Sequence, residues 1–141
     1  MKTDTSTHHE RNPSLEHDLS ISQQAIVSLE TLYPQNPALN VSYGARLRGP
    51  LDSGKVARAV RDVSERYEIL RINVCRNEPR ARLNRFVSTL RVEELENTGN
   101  TDREAILLQK VTEETRRVFD IYTNFLLRAT LWRLSHSEHL L

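Results

Sequence analysis

Over residues 39–48, in the run LNVSYGARLR, Leu39, Val41, Tyr43, Ala45 and Leu47 alternate with Asn40, Ser42, Gly44, Arg46 and Arg48. A period of two sustained over ten residues does not suit a helix. It predicts a long strand with one face on a core and the other in water. Such a strand needs neighbours for its main-chain groups and a cover for its apolar face, so the chain must fold in layers.

The flanking segments supply candidate layers. Ser20 and Gln23 have capping-box spacing, and Ala25, Ile26, Leu29, Leu32 and Tyr33 repeat with helical period until Pro34 and Pro37 stop the helix. After the strand, Gly49-Pro50 turns the chain into a second helix. Asp52 is placed to cap it, Leu51 and Val56 are spaced as a hydrophobic staple, and Val56, Val60, Val63 and Tyr67 form one stripe. The segment ILRINVC reads as a strand, with Leu70, Ile72 and Val74 on one face. ARLNRFVSTL and RVEEL are candidate strands, and NTGNTD is a loop by composition. Thr101 and Glu104 repeat the capping-box spacing at the start of a third helix, which directs Leu107, Leu108, Val111, Thr115 and Val118 inward and ends near Phe119. FLLRATLWRL reads as a long strand and HLL as the start of another. The expected fold class is therefore α/β (α+β), helices packed on a mixed sheet.

Residues 1–18 contain one large aliphatic side chain, Leu15, and are expected to be a disordered polar leader, leaving residues 19–141 as a single domain. Leu, Ile, Val and Phe make up 38 of the 141 residues, enough to form a core. The leader lacks the apolar centre of a signal peptide, and no run reaches the roughly 20 apolar residues of a bilayer span, so a cytoplasmic protein without a membrane partner is expected.

The net charge is +1, with 20 Lys and Arg against 19 Asp and Glu. Arg76, Arg80, Arg82, Arg85 and Arg91 cluster with Glu78 as the only acid among them. Near-neutral overall charge and the scarcity of interleaved aromatics, Phe86 apart, argue against a nucleic-acid partner and for a solvated hairpin face. The single Cys75 excludes an internal disulfide and reads as an unreactive half-buried thiol. His8 and His9 lie in the leader with no scaffold to position them, while His136 and His139 belong to a segment that reads as a surface turn. No Gly-rich phosphate loop, Gly-x-Ser-x-Gly elbow or HExxH motif occurs. Residue chemistry alone therefore designates no catalytic residue, cofactor or metal.

Four segments in order resemble the N-terminal lobe of the condensation domains of nonribosomal peptide synthetases. LSISQQAIVSLETLYPQNPALNV is similar to the family's opening motif at Ser20, Gln23, Ile26 and Leu29. ARLRGPLD looks like its strand and turn into the second helix. RYEILRINV resembles Arg-His-Glu-x-Leu-Arg-Thr-x-Phe at Arg66, Glu68, Leu70 and Arg71. FDIYTNFLLRATLWRL is similar to FDLxxGPLLRAxLxxL, with Asn124 and Phe125 in place of Gly-Pro.

The resemblance implies part of one lobe of a chloramphenicol acetyltransferase-like fold. It also implies amide-bond formation between substrates carried on the phosphopantetheine of a partner carrier protein, with a second, C-terminal lobe completing the tunnel. Glu68 and Arg71 carry over as motif residues bracing the region near that tunnel, their plainer role being a helix-to-strand ion pair. The family's His-His-x-x-x-Asp-Gly motif is expected beyond HLL and does not occur in this sequence, so the chain is expected to be inactive alone. A carrier-binding or split-lobe interaction module, or a piece of a related free-standing acyltransferase, are the alternatives. In the former, the arginine cluster would meet an acidic carrier helix.

Overall fold

The computed structural model describes residues 16–85, 87–95 and 100–141. In chain order these form β1 (Glu16–Asp18), α1 (Ile21–Leu32), β2 (Arg46–Arg48), α2 (Ser53–Arg66), β3 (Ile72–Val74), β4 (Arg80–Leu83), β5 (Leu90–Glu94), α3 (Asn100–Arg116), β6 (Ala129–Ser135) and β7 (Glu138–Leu140). Two sheets result, one of order β1-β4-β3 and one of order β2-β7-β6-β5. All pairs are antiparallel except β5 with β6, so the larger sheet is mixed, as the element order predicts.

Each sheet carries its own core. Leu19, Ile72 and Ala81 are buried on the small sheet with Val27 of α1 packed against them, and Leu95, Leu107, Trp132 and Leu134 join α3 to the large sheet. Trp132 lies directly opposite Leu140, and both face α3; Leu131, fully buried, points to the opposite face of β6. The Trp132 indole also donates to Glu93 at 3.1 Å, where Lys110 of α3 binds the same carboxylate. One carboxylate thus ties strand, helix and core aromatic together.

Several elements form for the reasons visible in the sequence. Ser20 and Gln23 make the reciprocal capping box of α1, and Asp52 accepts from the Gly54 and Lys55 N–H groups at the start of α2. Gly49 takes a positive φ of 111°, which a side chain would resist, and its N–H bonds Ser137 at the other end of the β2–β7 pair.

Other expectations are corrected. Of the expected leader 1–18, Glu16–Asp18 form a strand paired with Arg80–Arg82, held by ion pairs from Glu16 to Arg80 and Arg82; residues 1–15, including His8 and His9, lie outside the described residues. The long alternating strand is paired from Ala45 to Arg48, and Val41 and Tyr43 are 98% and 92% exposed. Leu39 and Leu70 belong to 3-10 turns, Pro37–Leu39 and Glu68–Arg71, rather than to strands. Along α1 the half-buried positions are Gln23, Val27 and Glu30, so Ile26, Leu29 and Leu32 face outward. In α2, Val63 and Tyr67 sit at the exposed border of the stripe, and in α3 Ile106 rather than Leu108 packs inward. Helix α3 begins at Asn100, and Glu104 pairs with Arg46 of β2.

Candidate functional site

The C-terminal carbonyls of a helix have no partner within the helix, and in this molecule arginines supplied by later segments satisfy them. Arg71 follows α2 in a tight turn. Its Nε donates to Ser64 O at 2.9 Å, one Nη to Asn84 O at 2.9 Å and the other to Glu65 O at 3.3 Å. Three donors in a planar fork therefore bind the last turn of α2 to the residue after β4. Glu68 is exposed and makes no ion pair with Arg71, so the expected helix-to-strand pair is replaced by a guanidinium-to-carbonyl brace. Asn84 continues the chain of contacts, donating to Asn73, whose own side-chain amide donates to Asn124 O at 2.7 Å.

Arg128 does the same for α3. It donates to Val118 O at 3.1 Å and Glu114 O at 3.3 Å, bonds Arg117 O, lies 3.2 Å from the Glu114 carboxylate and stacks 3.7 Å over Phe119. Burial pushes its guanidinium down, the nearby Arg117 charge adds to this, and Glu114 opposes it. Asn40 completes this end, its side-chain amide donating to Thr115 O and Arg117 O at 2.9 and 3.0 Å. Sequence reasoning missed both residues. The available signal was a lone arginine inside the apolar run FLLRATLW, which must find acceptors if the strand is buried.

The segment joining α3 to β6 is shaped by Asp120. Its carboxylate accepts from the Tyr122 N–H and the Thr123 hydroxyl at 2.9 and 2.6 Å, and Arg76 stacks 4.3 Å over Tyr122. The Thr123 hydroxyl foremost, then the Tyr122 N–H, hold the carboxyl below the usual range; burial opposes them and the Arg76 charge assists. The arginine cluster is thus dispersed. Arg80 and Arg82 meet Glu16 of β1, Arg76 joins the Asp120 turn, and Arg91 meets Glu93 two residues along its own strand, so most of the neutralising acids arrive from other elements.

Between residues 40–45, the start of β6 and α3 lies a groove of about 510 Å³, its walls including Tyr43, Val111, Phe119, Thr130, Trp132 and Leu140. Its ionisable side chains are Tyr43, Glu114 and Arg128, and the Glu114 carboxylate is held by both Arg117 and Arg128. The cleft is thus largely apolar, with its one side-chain carboxylate already paired.

Histidines stand away from it. His136 is in the exposed β6–β7 turn, but His139 is not, contrary to the surface-turn expectation: it is 2% exposed in β7, opposite Leu47 and Arg133, and its Nδ1 has no hydrogen-bond partner. Strand alternation moves one histidine of the segment inward while the other remains in water. Cys75 is half-buried just past β3. Among the described residues no three metal-ligating side chains converge, and no helix is long and apolar enough to cross a membrane.

Comparison with known proteins agrees with this architecture. The condensation-domain family matches residues 15–141. Isonitrile lipopeptide synthase of Mycobacterium tuberculosis is 34% identical over 128 residues, covering 87% of this chain and 5% of that protein. Phosphinothricin tripeptide synthetase PhsC of Streptomyces viridochromogenes is 30% identical over 126 residues, covering 87% of this chain and 12% of that protein. Among solved structures, a variant of the starter condensation domain of rhizomide synthetase RzmA superposes with a TM-score of 0.79 at 19% identity, over 91% of this chain and 30% of that one. The condensation enzyme VibH gives 0.67 at 20% identity, over 86% of this chain and 28% of that one. The chain thus spans under a third of each solved relative and a small fraction of each synthetase.

Proposed function

Because this chain belongs to the condensation-domain family, we propose that it is the N-terminal-lobe portion of a domain that forms amide bonds between carrier-bound aminoacyl or peptidyl thioesters, and that alone it performs no transfer. In such a reaction the acceptor amine attacks the thioester carbonyl, the C–N bond forms and the C–S bond breaks. The amine loses a proton and the carrier thiol leaves. A residue able to hold or move that proton is required at the reacting nitrogen.

The observation carrying the proposal is the character of the cleft: an apolar space on a braced scaffold, its one carboxylate already held by two arginines. The role this supports is architectural. Arg71 and Arg128 hold the ends of α2 and α3, and Asn73 ties β3 to the segment before β6, so the sheet is positioned for a reacting centre built elsewhere. A split-lobe reading has support of its own in the outward face of α1, where Ile21 and Leu32 are 87% and 72% exposed. Arginine-led docking on an acidic carrier helix draws less support, since Arg80, Arg82 and Arg91 already have acidic partners.

The test is a transfer assay with a loaded donor carrier protein and an aminoacyl acceptor carrier, products being quantified by mass spectrometry. Product at the level of a protein-free control is expected. Turnover above that control overturns the architectural reading.

A further inference from the structure

Helix α2 packs against β5, and a pocket of about 310 Å³ lies between the helix and the segment that enters the strand. Its helical wall is Gly54, Ala57, Arg58 and Arg61, positions three or four residues apart that share one flank of α2. The two small residues make room, and the two arginines border it. Across the pocket, Ser88 is 3% exposed and its hydroxyl donates to Leu127 O at 2.5 Å, which fixes this wall. Thr89, the next residue, is exposed and lines the pocket. The N–H groups of Gly54 and Lys55 are already bound to the Asp52 carboxylate, so side chains and not the helix end give the pocket its polar character.

That character is cationic. Asp62 and Glu65 stand four residues beyond Arg58 and Arg61, the spacing of a helical ion pair, yet neither pair closes, and among the described residues neither arginine has an acidic partner. Nearby acids are committed elsewhere. An adjoining groove shares Ser88 and Thr89 and carries Arg91, Arg117 and Arg128; Glu93 serves both Arg91 and Lys110, and Glu114 serves both Arg117 and Arg128. Five arginines thus line two adjoining concavities that no carboxylate lines, in a chain of net charge +1. Concavities lined by one sign of charge focus the field on an ion of the other sign.

We propose that the pocket between α2 and residues 88–90 is an anion site for a phosphate monoester group, held by the guanidinium forks of Arg58 and Arg61 with the Thr89 hydroxyl as a further donor. The number and arrangement of donors select the ligand class. A carboxylate presents two oxygens in one plane, which a single guanidinium satisfies. A phosphate monoester presents three acceptor oxygens and close to two charges, which suits two forks one helical turn apart and a hydroxyl opposite them. Gly54 and Ala57 project too little to fill the space that such a group needs.

The probes are methyl phosphate and inorganic phosphate, each titrated into the full chain at constant ionic strength with sodium chloride as the reference. The Nε–Hε NMR signals of Arg58 and Arg61 are followed beside that of Arg66, which ends the same helix outside the pocket. Methyl phosphate is expected to shift the first two signals saturably and to leave Arg66 in place. Arg58→Gln combined with Arg61→Gln is expected to weaken binding by about tenfold or more, and Arg58→Lys, which keeps the charge and loses the fork, by about threefold or more. Fluorescence of Trp132, the only tryptophan, checks that each variant keeps the fold, and the titration of the unaltered chain decides the matter where one does not. Shifts that grow without saturation, that are matched at Arg66 or that chloride reproduces overturn the proposal, as does undiminished affinity in the folded double variant. Inorganic phosphate binding about tenfold more tightly than methyl phosphate overturns the assignment to a monoester.

Discussion

Arg71 directs its guanidinium at three main-chain carbonyls, so losing it strips acceptors at the end of α2 and after β4 at once. Hydrogen bonds from a charged donor contribute about 1.5–3 kcal/mol net, and Arg71→Ala is expected to lower the unfolding free energy by about that much. Glu68→Ala is expected to stay within about 0.5 kcal/mol, because the side chain is exposed and does not pair with Arg71. Urea unfolding of the two variants measures both, and equal losses would restore Glu68 to the brace. Asp120 provides a pH signature. Its folded carboxyl is held low by the Thr123 hydroxyl and the Tyr122 N–H, so the associated stability is complete above the unfolded value of about 4 and is lost as pH falls through the lower folded value. Asp120→Asn is expected to flatten the acid limb of stability against pH, while a carboxyl that titrates at the ordinary value by NMR would remove the effect. Motif resemblance singled out Arg71 but not its partners. Ser64, Glu65 and Asn84 converge on it only when α2 and β4 pack side by side, and carbonyl acceptors carry no sequence signature.

Element boundaries show where local chemistry decides and where it does not. Of the three capping residues expected from the sequence, Ser20 and Asp52 cap their helices, since an N-cap needs only groups within three residues, whereas Thr101 falls inside α3 and Glu104 turns to Arg46. Asp52→Ala is expected to cost about 1 kcal/mol, read from thermal or urea unfolding, with a shift of several tenths or less indicating that α2 is held by tertiary contacts alone. The alternating run of residues 39–48 behaves differently. Its side chains do alternate: Asn40 turns to the end of α3 and Arg46 to Glu104, while Val41 and Tyr43 point the other way. Burial does not follow, because a strand becomes half-buried only where a neighbour and a covering layer reach it. Val41→Ser is therefore expected to change stability by no more than about 0.5 kcal/mol in this chain, despite a pattern that marks the residue as core. A loss of core size would place a cover over Val41.

At the scale of the whole molecule, the fold rests on two small clusters rather than one large core. Leu131 is fully buried at the centre of β6, and Leu131→Ala is expected to destabilise by about 2–5 kcal/mol, with calorimetry or urea unfolding as the measure. A near-zero change would mean that the face of β6 opposite α3 is not packed. The sequence by itself determined the element order from α1 onward, the mixed α+β class and two helix caps, because these depend on side-chain periodicity and on hydrogen bonds a few residues long. It also carried the family, through motifs whose spacing survives at low identity. Only the tertiary structure decided that Glu16 neutralises two arginines more than sixty positions away, that His139 is buried while His136 is not, and that arginines cap α2 and α3 from outside. Each of these is settled by which strands become neighbours and how far their ladders run, and strand pairing joins residues whose separation along the chain leaves no local trace.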